Sequence, residues 1–211
     1  MANLNIRRIV CGLLEENSYL VFLDEREDAF IIDPGDNFEE LMAAIQVSGK
    51  RLAYILLTHG HFDHTLCAPR LREATGAKII AHSFELEYLK DAHLNSYQPS
   101  LCREAFVPFE ADQALEILEN GSIELCGISM QVLYTPGHTP GGMCFHIPEH
   151  QTLFSGDILF ENGFGRTDLP GGSTQQIRRS LRKLLKLPED TDVYAGHGAS
   201  TLIRRVVDGF Q

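Results

Sequence analysis

Short aliphatic runs separated by polar positions open the chain. Residues 6–10, 18–23 and 29–32 carry this pattern, which predicts a meander of three strands. Asp33, Pro34, Gly35 and Asp36 end it as a sharp turn. Asn37, with Glu40 three places on, has the form of a helix cap, and Phe38, Leu41, Met42 and Ile45 then recur at helical spacing. The spacing predicts a helix over 37–48 that stops at Gly49. An apolar run at 54–57 follows, so the order is strand, helix, strand, and the two strands are expected to pair in parallel.

Pro69 suits the first turn of a helix that begins near Ala68 and ends at Gly76. Residues 78–81 predict a strand, and 83–89 a short helix opened by a Ser83 cap. Residues 91–113 show no period, and so long an irregular stretch is either functional or conceals elements that the pattern does not betray. Asn120 and Gly121, inside the run 117–124, predict a tight hairpin turn. Strands are expected at 128–134, 143–147, 152–155 and near Val193. Ser173 and Gln176 form a capping box ahead of Ile177, Leu181, Leu184 and Leu185, which share one helical face. No linker, repeat or low-complexity run interrupts the pattern, so one domain is expected over residues 1–211.

An apolar content of 44% is ordinary for a folded chain of 211 residues, and the formal net charge of −11 argues against a nucleic-acid partner. No apolar run approaches the roughly 20 residues that cross a bilayer, and the first sixteen residues lack the core of a secretion signal. Cys11, Cys67, Cys102, Cys126 and Cys144 form no CxxC pair, which fits reduced thiols and a cytoplasmic chain without a membrane partner.

The chemistry concentrates at 58–64, the stretch THGHFDH, where His59, His61, Asp63 and His64 follow directly on a predicted strand. In extended chain His59, His61 and Asp63 share one side; if the chain then coils, successive side chains swing by about 100°, so one motif can serve two ions. Gly60 is expected to give the backbone the freedom for that bend. Four such ligands without a Cys do not resemble a closed structural zinc site. His138, Asp157 and His197 likewise follow apolar strands and lie beside glycines. If the loops converge, His59, His61 and His138 form one group of ligands and Asp63, His64 and His197 a second, with Asp157 between. Any one of them, such as His138 in its Pro-Gly turn, reads equally well as a surface histidine; the set does not. His82, His93, His146 and His150 fall outside the pattern and read as structural or solvated. Arg178, Arg179, Arg182, Lys183 and Lys186 read as the solvated face of a helix, and Tyr88 and Tyr97 as packing or pocket wall.

The motifs THxHxDH at 58–64, PGHT at 136–139, SGD at 155–157 and GHG at 196–198 resemble, in order and across nearly the whole chain, the metal-binding motifs of the metallo-β-lactamase superfamily. The resemblance implies an α/β fold, a four-layer αββα sandwich with metals at one edge, and His59, His61, Asp63, His64, His138, Asp157 and His197 as ligands. It leaves the reaction open among lactamases, thioesterases, lactonases, nucleases and oxidoreductases. Gly165, Arg166, Thr167 and Asp168, with the compact length, resemble the short glyoxalase II-like hydrolases. That likeness implies two divalent ions, with zinc favoured and iron or manganese compatible. It implies hydrolysis of a small thioester like S-lactoylglutathione, with or without a glutathione link, or of a related ester, by a metal-bound hydroxide, with Asp63 orienting it or accepting its proton. Arg166 is then expected to clamp a substrate carboxylate with its planar fork, the alternative being an ion pair with Asp168 that only shapes the loop. No C-terminal helical glutathione-binding domain of the full-length glyoxalase II kind is expected. Persulfide dioxygenases of the same superfamily carry a similar segment, so a single redox-active iron is the alternative.

Overall fold

Six strands form the first sheet in sequence order: β1 (Leu4–Cys11), β2 (Glu16–Leu23), β3 (Asp28–Ile32), β4 (Arg51–Leu56), β5 (Lys78–His82) and β6 (Gln113–Leu115). These come from a computed structural model that describes residues 2–209, so the part of the one-domain expectation that falls on Met1, Phe210 and Gln211 lies outside the described residues. The opening meander is antiparallel; β3 to β6 then run parallel. The crossovers pass through α1 (Phe38–Ser48), a single turn α2 (Phe62–Thr65) and α3 (Ala68–Thr75). The second sheet has the order β12 (Thr201–Leu202), β11 (Asp192–Ala195), β10 (Thr152–Gly156), β9 (Met143–Ile147), β8 (Ile128–Tyr134), β7 (Asn120–Leu125). Its one parallel pair, β10 and β11, is joined through α4 (Thr174–Leu184), and α5 (Ile203–Gly209) follows the last strand.

Alternation along the strands divides the core into three apolar layers. Tyr19, Val21, Phe30, Ile32, Leu56 and Ile80 of the first sheet meet Met130, Val132, Met143, Phe145 and Phe154 of the second. Their chain neighbours Leu20, Phe22, Ala29, Ile31, Ile55 and Ile79 face Leu41 and Ile45 of α1 and Leu71 of α3. On the far side Leu133, Cys144, Leu153 and Val193 face Ile177, Leu181 and Leu184 of α4 and Ile203 of α5. Where a strand is buried on both faces it must carry residues suited to burial at odd and even positions alike, which is why β2, β9 and β10 are buried at every position, whereas β7 and the first half of β8 alternate. Each large apolar side chain so buried contributes roughly 1.5–3 kcal/mol. The layers are helices, sheet, sheet, helices, an αββα sandwich.

Several local expectations give way to tertiary context. Asn120 and Gly121 lie inside β7, paired with Leu133 and Val132. The hairpin turns instead at Cys126 and Gly127, with φ of 52° and 75°, between the paired Leu125 and Ile128. Two positive φ values make the primed turn that matches strand twist. Asn37 makes no side-chain cap on α1, whose first turn carries Glu39 and Glu40 instead. The helix expected at 83–89 is a 3-10 turn, Ser83–Glu85, followed by further turns; its cap is the His82 ring, with Nδ1 accepting the Phe84 N–H at 3.1 Å, rather than Ser83. The Ser173 cap on α4 is present, accepting the Gln176 N–H at 3.3 Å. Residues 91–113 hold one 3-10 turn, Pro99–Leu101, and are otherwise without helix or strand up to β6, and Asp36 pins them by accepting the N–H groups of Arg103 and Glu104 at 2.6 and 2.7 Å. Among the described residues no helix is long and apolar enough to cross a membrane.

Candidate metal centre

The centre is built where loops from both sheets meet. Past β3, Asp33 sits at φ 49°, a left-handed conformation that Asp tolerates better than most residues. Its carboxylate accepts the Thr58 N–H at 2.7 Å, the Thr58 hydroxyl at 2.6 Å and His64 Nδ1 at 3.0 Å. Because that hydroxyl donates to Asp33, it accepts from His59 Nδ1, 3.0 Å away. His138 Nδ1 donates to the Arg166 carbonyl at 2.8 Å, and His197 Nδ1 to the Leu14 carbonyl at 3.0 Å. In these four imidazoles an oxygen acceptor therefore holds the proton on Nδ1 and leaves Nε2 as the nitrogen available to an ion. His61 differs, its Nδ1 approaching His138 Nε2 to 2.9 Å.

The seven side chains singled out in the sequence all come together. One ligand atom each from His59, His61 and His138 lie within 4.8 Å of one another, and the same holds for Asp63, His64 and His197. Asp157 stands between the groups: Oδ1 is 3.4 Å from His64 Nε2, and Oδ2 is 3.6 Å from Nε2 of both His138 and His197. The turn of α2 is what sends Asp63 and His64 to the second group while His59 and His61 face the first. Gly196 lets this happen, since a Cβ there would strike Asp157 Oδ1 and come within 2.6 Å of His64 Cε1. Gly60 contributes space rather than flexibility: a Cβ would lie 2.5 Å from that of Tyr88.

Nε2 of His59 and His64 and Oδ1 of Asp157 are buried without a hydrogen-bond partner. Each such orphan costs roughly 1–3 kcal/mol, so several of them clustered at one edge of the sheets are the mark of a cation site. The electrostatics agree. Burial, with neighbouring imidazoles adding to it, holds His59 well below the ordinary histidine range, and burial beside His138 lowers His61 to about 3. Burial also opposes a charge on His64, yet Asp157 and Asp63 outweigh it and raise that group. The two carboxyls resist their own burial because His64 and His197 hold them below the ordinary carboxylate range. His59 and His61, kept neutral by burial, beside ionised Asp63 and Asp157 and with no thiolate among the ligands, are part of a donor set for divalent ions.

Residues 11–197 match the family model described as the metallo-beta-lactamase superfamily. The chain belongs to the metallo-β-lactamase superfamily. It is 36% identical to a hydroxyacylglutathione hydrolase, GloC, of Haemophilus influenzae, over 95% of this chain and 93% of that protein. Among solved structures it is similar to the BLEG-1 B3 metallo-beta-lactamase, with a TM-score of 0.90, 33% identity and 97% of each chain covered. It is also similar to TTHA1623 in a di-iron-bound form, with a TM-score of 0.83, 38% identity and 94% and 96% covered. The superfamily is one of metallo-hydrolases whose fold binds divalent metals at His and Asp clusters of this kind.

In this member of the superfamily a cleft of about 380 Å³ opens over the centre. His61, Asp63, His138, Asp157 and His197 line it, Leu14, Phe62, Leu101 and Leu169 supply apolar wall, and Ser96 and Gln98 bring the irregular segment 91–113 to its edge. Arg166 also lines the cleft, but its guanidinium is bound in a fork to Asp168, at 2.7 Å for each nitrogen, and both side chains are largely exposed. Tyr88 touches the centre through the His61 ring, and Tyr97 packs edge-on against Phe62. Two residues of the site escaped sequence reasoning. Asp33 was visible only as a turn residue, and Glu85, buried beside Gly60, carries no local signal at all.

Proposed function

We propose that this chain is a binuclear metallo-hydrolase that cleaves a small thioester of the S-lactoylglutathione type. The observation that carries the proposal is the pair of three-ligand groups with Asp157 between them, each holding at least one imidazole Nε2 that makes no hydrogen bond among the described residues. His59, His61 and His138 would hold one ion and Asp63, His64 and His197 the other, with Asp157 serving both. Bound divalent ions supply a water whose pKa falls toward about 7 and a Lewis acid for the scissile carbonyl. The chain does the rest. Asp33 and the carbonyls of Leu14 and Arg166 keep the imidazoles from rotating, so the donor geometry exists before substrate arrives. Asp63, at the cleft floor with Oδ2 3.2 Å from His197 Nε2, orients the nucleophile or takes its proton. The apolar wall excludes water from the acyl group, and Arg166 offers its fork to a carboxylate, with Asp168 occupying that position in the absence of substrate.

The name of the Haemophilus relative supports the thioester, and the di-iron form of TTHA1623 keeps iron beside zinc and manganese as the metal. The test gives the purified protein S-lactoylglutathione and, separately, glutathione persulfide, following thiol release in one and oxygen uptake in the other. Thiol release that is lost in His59→Ala is the expected result. Oxygen uptake without thioester cleavage, or full activity with far less than one transition-metal ion per chain, would overturn the reading.

A further inference from the structure

The turn at residues 83–89, outside every ligand motif, touches three of the loops that build the centre. Glu85 is 1% exposed and gives both carboxylate oxygens to backbone: Oε2 accepts the Gly60 N–H at 2.7 Å and Oε1 the Gly141 N–H at 2.6 Å. Gly60 separates His59 from His61, and Gly141 follows His138 in the same loop. Tyr88, in the next turn, lays its ring edge-on to His61 with centroids 6.3 Å apart. Its hydroxyl donates to the Pro170 carbonyl at 2.8 Å, in the segment whose Arg166 carbonyl holds His138.

We infer that Glu85 is a positioning residue, whose carboxylate ties the His59–His61 loop to the His138 loop and so sets the spacing of those three imidazoles for the first ion. The inference rests on the two-ion reading above. The loops leave different sheets, so neither sheet's ladder fixes their separation. The Met143 N–H donates to the Thr58 carbonyl at 2.8 Å and makes one tie between them; the Glu85 carboxylate makes a second at a different point, and two ties fix an angle as well as a distance. The low dielectric around buried partners strengthens both bonds, and losing either would leave a buried N–H without its acceptor. Space is reserved for the arrangement as well, since a Cβ on Gly60 would lie 2.9 Å from Glu85 Oε2.

The test titrates metal-free protein with cobalt(II) and reads the d–d absorption of wild type, Glu85→Gln, Glu85→Ala, His138→Ala and the Glu85→Gln/His138→Ala double variant. Glutamine keeps the shape but leaves one of the two N–H groups without an acceptor. Glu85→Gln is expected to bind one of its two cobalt ions about 10- to 100-fold more weakly, the range for groups that orient ligands, with the other ion unchanged. In the His138→Ala background, where that ion's site is already broken, adding Glu85→Gln is expected to change nothing further. Circular dichroism and melting establish that each variant is folded, and if Glu85→Ala is not, Glu85→Gln decides alone. Binding of both ions as in wild type by Glu85→Gln would overturn the inference. So would an equal further loss in the His138→Ala background, which is the signature of general loosening. A wild-type protein that takes up no cobalt would instead bring down the two-ion reading itself.

Discussion

Asp33 holds Thr58 by both of its hydrogen-bond donors, the N–H at 2.7 Å and the hydroxyl at 2.6 Å. The same carboxylate receives His64 Nδ1, so one acid at the end of β3 orients His64 directly and His59 through the threonine. Asp33→Ala is expected to strand three buried donors at roughly 1–3 kcal/mol each and to weaken metal binding about 10- to 100-fold. Urea unfolding and a metal titration measure the two effects. Unchanged affinity would mean that the imidazoles are held by packing alone.

Asp157→Asn keeps the side-chain volume and removes the charge that lies between the two groups. The expected outcome is a fall from two ions toward one per chain after dialysis, read by elemental analysis, with thioester hydrolysis reduced by a hundredfold or more, about 3 kcal/mol of barrier. Retention of two ions would show that Asp157 is not needed to hold them together.

Arg166 and Asp168 form a fork-to-fork pair in the open, so the pair itself contributes little to stability. If the fork serves a substrate carboxylate, Arg166→Ala raises KM with kcat nearly unchanged, while Asp168→Ala frees the guanidinium and lowers KM. If the pair only shapes the loop, both variants raise KM together. Steady-state kinetics on a carboxylate-bearing thioester separate these outcomes.

The Glu85 carboxyl, pushed by burial from 4.5 up to about 7, carries a signature in the pH dependence of stability. Between pH 4.5 and about 7 the folded chain keeps a proton that the unfolded chain has released, so this group makes stability fall as pH rises through that window, by on the order of 3 kcal/mol. Glu85→Gln is expected to lack that part of the fall. Denaturation of both proteins at pH 5 and pH 8 measures the difference, and parallel slopes would contradict it.

The sandwich was legible wherever a strand is apolar on both faces. The run 143–147 coincides with β9, all of whose residues are buried, whereas 128–134 coincides with β8, where buried Ile128, Met130 and Val132 alternate with exposed Ser129 and Gln131. The metal motif was legible for a different reason, its donors being packed into a few residues or set beside glycines at strand ends. Pairing that is distant in sequence was not. Asn120 and Gly121 have the best local turn chemistry, yet opposite them Leu133 and Val132 bind them into a strand, and the turn falls on Cys126, a residue that no propensity would nominate. Asp33 and Glu85 each find their partners at least 25 residues away, and nothing around either acid announces that it supports the centre.

The donors of the centre come from the ends of β4, β10 and β11 and from the loop between β8 and β9, so they run from His59 to His197 and belong to both sheets. Such a set cannot gather until the sheets have docked, and contacts this remote along the chain form slowly. An ion arriving at this place would act as a clasp fastened on a body already assembled, adding its binding free energy to the native state alone. Refolding of the metal-free chain should therefore proceed at the same rate with or without zinc, while unfolding of the loaded protein slows with every increase in metal affinity. Stopped-flow measurements in both directions test this, and zinc that accelerates refolding would mean that part of the clasp closes early.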